Sequence, residues 1–143
     1  EAAMNFENSK MYPGLPEYFD NEGRGLYAYL TGAASWYMLT MITEVFGVKG
    51  DLGDLVIAPF LLPEQFDENG NAGLKLEFAG RKFEIIIHNP EKKDLKAEQI
   101  RRAVCDEKVV LEPQPEYGVR LRKSVIEALE PKKCHRIDVI FHE

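Results

Sequence analysis

Apolar side chains in residues 33–46 fall on nearly every side of a helical wheel. A helix that is apolar all round has to be buried on all sides. Thr31 and Gly32 stand at its N-terminal end, where capping residues belong, and Gly47 follows it where a left-handed C-cap forms. The pattern therefore predicts a helix over residues 33–46 that packs inside a helical domain.

After Gly50 the pattern changes to short strands separated by turns. Ala79 and Gly80 predict a tight hairpin turn, and residues 67–71 also have turn composition. Strict alternation of apolar and polar residues predicts half-buried strands around Leu74, Leu76 and Phe78, around Phe83, Ile85 and Ile87, and around Ile137, Val139 and Phe141. Weaker extended patterns cover residues 55–62, 100–104 and 108–111, and a short helical pattern covers residues 124–129. Short strands at turn-punctuated intervals favour a β-sandwich.

These two parts do not make a self-contained protein, because a small sandwich covers one face of a helix and not its whole circumference. We expect residues 1–50 to be the end of a helical domain whose other members lie upstream in a longer protein. Residues 51–143 are expected to form a C-terminal β-sandwich domain. In the chain taken alone, the helix should then present a large exposed apolar surface along residues 33–46, or self-association should hide it.

Composition narrows the classes of function. The 143 residues are 45% hydrophobic, which excludes a disordered chain, and they carry a net charge of -6. This balance argues against nucleic-acid and anionic-membrane partners, which need a basic surface. Cys105 and Cys134 have no metal-binding spacing, and no leader or membrane span is recognisable, so we expect reduced thiols in a cytoplasmic protein. Three histidines in the predicted sandwich are expected to be surface or strand-end residues: His88, His135 and His142.

Several pieces of residues 12–53 are similar to the C-terminal region of glycoside hydrolase family 94: PEYF at 16–19, GRG at 23–25 and YLTGAASW at 29–36. The continuation EVFGVKGDLGDL and PFLLPEQFD resembles the family's passage into its C-terminal domain. The family contains cellobiose, cellodextrin, laminaribiose and chitobiose phosphorylases and the related cyclic glucan synthases. The resemblance implies a mixed fold, in which the helix over 33–46 is the last helix of an (α/α)6 barrel and a mostly antiparallel C-terminal β-sandwich follows it.

The chemistry implied by this resemblance is inverting phosphorolysis. Inorganic phosphate attacks the anomeric carbon of a β-linked di- or oligosaccharide while an aspartic acid protonates the leaving oxygen, which gives an α-sugar 1-phosphate. The resemblance places phosphate at Thr31 and Gly32, and a helix N-terminus with a hydroxyl and an unobstructed amide suits an anion. The alternative is that Thr31 only caps the helix and Gly32 only relieves a tight turn. Arg24 is expected to support the phosphate loop or to pair with Glu22.

The rest of the machinery is expected outside this chain. The resemblance implies that the general acid and the phosphate-binding arginine and histidine lie upstream, so we expect no catalytic residue here and no activity of the chain alone. No metal and no cofactor are expected, with phosphate as a co-substrate. The parent enzyme is expected to be a homodimer.

Two other functions stay open: a stand-alone sugar-binding or assembly module derived from the family, and part of a cyclic β-glucan synthase homologue. Exposed aromatic residues on the strands would favour a sugar-binding module. Glu17, Asp20 and Glu22 lie in a loop rich in proline and glycine, which indicates solvated charges rather than a catalytic pair. Trp36 and Tyr37 are expected to be helix-domain core rather than sugar-stacking residues.

Overall fold

The structure is a computed structural model that describes residues 7, 16–26, 32–94, 100–114 and 118–141. Within these residues the chain is mostly β, with three sheets dominated by antiparallel pairing and two short α-helices. It divides into two compact units, residues 1–40 and 41–143, ahead of the boundary expected at residue 50. In the described part of the chain, the helices are too short or too polar to cross a membrane.

The first unit contains a small hairpin and one α-helix. Strands β1 (Tyr18–Phe19) and β2 (Gly25–Leu26) pair antiparallel, and helix α1 spans Gly32–Thr40. None of the α1 residues is buried, and Trp36 is 70% exposed. Tyr37, Met38 and Leu39 are exposed as well. The apolar surface expected along residues 33–46 is therefore exposed in α1, up to Thr40.

Met41–Val45 follow α1 in the sequence as a π-helical segment of the second unit. The helix predicted over residues 33–46 is thus α-helical only as far as Thr40. Gly47 ends the segment with a φ of +64°, which confirms the left-handed C-cap expected at this position. Ile42, Val45 and Phe46 pack against the core of the second unit.

The second unit consists of two sheets and one short helix. In chain order its elements are β3 (Val48–Asp51), β4 (Asp54–Ile57), a 3-10 turn (Pro63–Gln65), β5 (Asn71–Phe78), β6 (Arg81–His88), β7 (Arg102–Cys105), β8 (Val109–Val110), β9 (Glu112–Pro113), β10 (Val119–Leu121), α2 (Lys123–Ala128) and β11 (Cys134–Ile140). One sheet has the order β3-β4-β10-β9 and the other β5-β6-β11-β7-β8. β11 runs parallel to β6 and antiparallel to β7.

The inner faces of the two sheets share one hydrophobic cluster, which makes the unit sandwich-like. The four-stranded sheet contributes Val48, Leu55, Ile57, Val119 and Leu121, and the five-stranded sheet contributes Ala72, Phe83, Ile85, Ile87, Ala103, Cys105, Ile137 and Val139. The alternating patterns of the sequence therefore predicted the core side of β5, β6 and β11 correctly.

Two local predictions have different outcomes. Ala79 and Gly80 both have positive φ, 49° and 70°, which confirms the tight hairpin turn and makes it a type I′ turn. The extended run predicted over residues 55–62 is wrong beyond Ile57, where β4 ends. The following residues form loop structure, and Phe60 there is 70% exposed, so apolar composition alone did not indicate a strand.

Substitution of Gly47 tests the role of this C-cap, with Gly80 as a matched control. Both glycines are left-handed, but a Cβ on Gly47 would lie 1.9 Å from the Ala58 backbone oxygen, whereas one on Gly80 would meet no atom within 4 Å. We expect Gly80→Ala to lower the free energy of unfolding by about 1 kcal/mol, the conformational term alone. Gly47→Ala should lower it by about 2–4 kcal/mol, because the backbone has to move.

Urea unfolding followed by circular dichroism measures both values. Equal losses for the two variants would show that Gly47 is needed only for its φ angle and not for the close approach to Ala58.

Candidate functional site

The N-terminus of α1 holds an anionic group from the same unit. A carboxylate oxygen of Glu17 accepts a hydrogen bond of 2.7 Å from the backbone N–H of Ala33, sixteen residues along the chain. The first amides of a helix have no partners within the helix, and the helix dipole favours negative charge there. This end of α1 is therefore an anion-binding position in the structure itself.

Gly32 lets the carboxylate come close to the backbone. A Cβ built on Gly32 would lie 3.1 Å and 3.3 Å from the two carboxylate oxygens of Glu17, which is tighter than ordinary van der Waals contact. Gly32 itself is exposed. Thr31, the other residue predicted to bind phosphate, lies outside the described residues.

The β1–β2 turn is organised by Asp20. Its carboxylate accepts hydrogen bonds from the backbone N–H of Glu22 at 3.0 Å and of Arg24 at 2.8 Å, and pairs with the Arg24 guanidinium at 2.7 Å. The backbone hydrogen bond from Arg24, then that from its side chain, holds the pKa of Asp20 below its usual range. Arg24 also pairs with Glu22 at 3.4 Å. This ion pair is one of the two roles that the sequence analysis expected for Arg24.

Two of these loop carboxylates, expected to be solvated charges, make structural hydrogen bonds. Glu17 caps α1 and Asp20 closes the turn, and both are half-buried. The sequence analysis missed the capping role of Glu17 because its partner, Ala33, is sixteen residues away. The one available signal was a carboxylate that precedes a helix N-terminus in the sequence. Arg24 is engaged by carboxylates, and its support of a phosphate loop stays a prediction.

His135 lies at a strand end, as expected, but it is buried rather than at the surface, with 2% exposure. Its Nδ1 lies 2.8 Å from a carboxylate oxygen of Asp106, and its Nε2 lies 2.9 Å from the backbone oxygen of Glu130. Each ring nitrogen thus faces an oxygen acceptor. His135 thereby ties the segment before β11 to the β7–β8 turn.

Asp106 accepts hydrogen bonds from Lys133, His135 and the backbone N–H of Arg136, and these four residues form the Asp106 cluster. Burial acts to raise the pKa of Asp106, but hydrogen bonds from His135, from the backbone N–H of Arg136 and from Lys133 outweigh it and lower the pKa to about 2. The Lys133 ammonium lies 3.0 Å from the carboxylate. Asp106 adopts a φ of 49°, a left-handed conformation that aspartate and asparagine tolerate better than most residues.

His88 belongs to a row of polar side chains on the five-stranded sheet. Its ring nitrogens lie 2.8 Å from Asn71 Oδ1 and 2.7 Å from Asp138 Oδ1, and Arg136 pairs with the same Asp138. Burial acts to raise the pKa of Asp138, and the hydrogen bonds from Arg136 and His88 reverse this and lower it. These cross-strand contacts give His88 a structural role. His142 lies outside the described residues.

Both cysteines are free thiols. Cys105 is buried, and burial together with the nearby Asp106 charge raises the pKa of its thiol to about 11, so it is neutral and unreactive. Cys134 is exposed. Among the described residues, no three histidine, cysteine or acidic side chains come together as a metal site.

Comparison of the chain with models of known protein families finds no match, and comparison with curated protein sequences finds none either. The resemblance to glycoside hydrolase family 94 therefore stays a prediction from the sequence segments described above, and the function it implies is a proposal.

Removal of the Glu17 carboxylate should weaken the start of α1. We expect Glu17→Ala to lower the local stability of the first turn by about 1 kcal/mol, because the Ala33 amide loses its acceptor and the helix N-terminus loses a favourable charge. Amide hydrogen exchange measures this as an Ala33 exchange rate about fivefold higher. Glu22→Ala is the control, since the Glu22 side chain is exposed and pairs with Arg24 rather than with the start of α1. Equal rates in the two variants would contradict a capping role.

Acid stability provides a test of the Asp106 cluster. The pKa of Asp106 is lowered, so its contribution is fully present above its ordinary pKa of 3.8 and is lost as the pH falls toward about 2. The shift corresponds to about 2 kcal/mol of the free energy of unfolding at neutral pH.

The measurement is the free energy of unfolding between pH 7 and pH 2 for the wild type and for Asp106→Asn. We expect the difference between the two proteins to shrink between about pH 4 and pH 2. Asp94→Asn, at an exposed position, should instead follow the wild type across the range. A constant difference at all pH values would show that the charge of Asp106 does not stabilise the cluster.

Proposed function

We propose that this chain is the C-terminal part of an inverting glycoside phosphorylase and that the start of α1 contributes part of its phosphate site. The observation that carries the proposal is the hydrogen bond between Glu17 and the Ala33 amide, because it holds an anionic oxygen at the helix N-terminus. The YLTGAASW segment, which resembles the phosphate-binding segment of glycoside hydrolase family 94, runs into this same helix end.

Phosphate is the nucleophile in such a reaction, so the protein's main task is to place it and to compensate its charge. In this proposal the Thr31 hydroxyl and the Gly32 amide donate to phosphate oxygens. The Glu17 carboxylate and phosphate repel each other, so they compete for the Ala33 amide. Phosphate then replaces Glu17 there, and Glu17 satisfies the amide when phosphate is absent.

The remaining parts of the proposal concern the parent protein. α1 is the last helix of its catalytic (α/α)6 barrel, and the exposed side chains of Trp36, Tyr37 and Met38 pack against upstream helices. The sandwich-like unit is its C-terminal domain. The general acid comes from the barrel, and the parent is a cytoplasmic homodimer that cleaves a β-linked di- or oligosaccharide.

The alternative of a sugar-binding module has less support. Aromatic residues that stack on sugar have to be exposed, but in the sandwich-like unit Phe66, Phe83 and Phe141 are buried and Phe78 is half-buried against the core. Phe60 of this unit is exposed, but it lies in the loop after β4 and not on a strand. An assembly module is favoured by one observation, the exposed apolar surface of α1. A cyclic β-glucan synthase homologue would share the barrel and differ in the reaction catalysed.

The phosphate site is tested in the full-length parent enzyme with Thr31→Val. Loss of one hydrogen bond to a charged group costs about 1.5–3 kcal/mol, so the KM for phosphate should rise roughly tenfold or more while the KM for the sugar changes little. Thr31→Ser keeps the hydroxyl and is the matched control, with phosphate kinetics near the wild type. An unchanged KM for phosphate together with unchanged turnover in Thr31→Val would remove Thr31 from the site.

A further inference from the structure

β5 is an edge strand of the five-stranded sheet. All eight of its residues pair in continuous antiparallel register with β6, from Asn71 opposite His88 to Phe78 opposite Arg81. There is no bulge and no proline in the strand, two of the usual devices that keep an edge from pairing further. Its second side is therefore a straight and regular edge.

The free backbone groups of this edge belong to three residues. Phe78 and Arg81 close the two-residue turn as a hydrogen-bonded pair, and such pairs alternate along an antiparallel ladder. The N–H and C=O groups of Gly73, Lys75 and Glu77 consequently point away from β6. All three residues are exposed, and in the described part of the chain no backbone hydrogen bond reaches these groups.

We propose that β5 pairs antiparallel with β5 of a second copy of this chain, with the two-fold axis at Leu76. In this register Lys75 lies opposite Glu77 of the second copy, and Glu77 lies opposite its Lys75. Both pairs lie on the outer face and both are hydrogen-bonded pairs of the new ladder. The edge is thus self-complementary in charge, as a two-fold interface requires.

The charges of Lys75 and Glu77 favour this register over the other registers in which two β5 strands could pair. An axis at Lys75 would put two lysines opposite each other, and an axis at Glu77 would put two glutamates opposite each other, which is destabilising. A shift by one residue would turn the polar face of one copy against the apolar face of the other. Lysine on an edge strand usually blocks further pairing, but here a glutamate of the second copy lies opposite it.

The inner face fits the same register. Leu74, Leu76 and Phe78 pack against the core but are only half-buried. With the axis at Leu76, Leu76 lies opposite Leu76 of the second copy, and Leu74 lies opposite Phe78 of the second copy. Pairing would continue the apolar layer from one subunit into the next, which adds burial to the backbone hydrogen bonds.

The first test is sedimentation equilibrium of the full chain with charge-reversed variants. Lys75→Glu and Glu77→Lys each place two like-charged pairs in the interface and should raise the dimer dissociation constant about tenfold. The double variant Lys75→Glu/Glu77→Lys restores opposite charges between the two copies, although it places like charges opposite Glu84 and Lys82 of β6 in the same chain. Its dissociation constant should therefore be clearly lower than that of either single variant. Association through the exposed surface of α1 would not follow this cycle.

The second test needs no variant. Amide hydrogen exchange of the wild-type chain should show protection of Gly73, Lys75 and Glu77 that rises with protein concentration. Leu74 and Leu76, whose amides bond to β6, should be protected at every concentration and serve as internal controls.

Two results would overturn the proposal. The first is amide exchange at Gly73, Lys75 and Glu77 that stays fast while the chain associates. The second is a chain that remains monomeric at protein concentrations up to about 1 mM, because a dissociation constant above this value means a very weak interface. A double variant as weakly associated as the single variants would exclude the register. None of these outcomes bears on the phosphate site at α1, so the two proposals fail separately.

Discussion

The second unit depends on one apolar layer that both sheets bury together. Side chains from the middle of each sheet, such as Leu55, Ile85 and Ile137, are fully buried in it. Burial of this layer specifies the register of the strands, since a shift of one residue would turn the apolar set outward. In the parallel register of β11 with β6, Ile137 lies opposite Ile85 and Val139 lies opposite Ile87, so all four side chains are on the same face.

The first unit has a different balance between burial and exposure. α1 is as apolar as a core helix but has no buried residue, and the contacts that define its start are polar ones with Glu17. A single exposed helix of nine residues is too short to be stable from its own hydrogen bonds. Because α1 is too short to be stable alone, it needs both the negative charge at its N-terminus and a partner that buries its apolar surface. The proposed barrel supplies the cover, and the proposed phosphate site uses the charge.

Local features of the fold were predictable from the sequence, and remote ones were not. The Ala79–Gly80 turn, the left-handed Gly47 and the inward faces of β5, β6 and β11 follow from backbone preference and period-two alternation. The four-residue strand β3 and three-residue strand β10 carry too few residues for a period to be recognised. For the candidate site, Gly32 was identified by resemblance, whereas the capping role of Glu17 depends on a contact across sixteen residues. The burial of His135 likewise depends on Asp106, which is on another strand connection.

The central claim is that α1 is the last helix of a barrel that belongs to a larger phosphorylase. Sequencing of the gene upstream of the codon for Glu1 tests this most directly. We expect a reading frame that continues upstream through a series of helices able to enclose α1 and that includes an acidic residue able to protonate a leaving sugar. A start codon with its own ribosome-binding site immediately before this segment would contradict the account, because the chain would then have no general acid and no helices to cover α1.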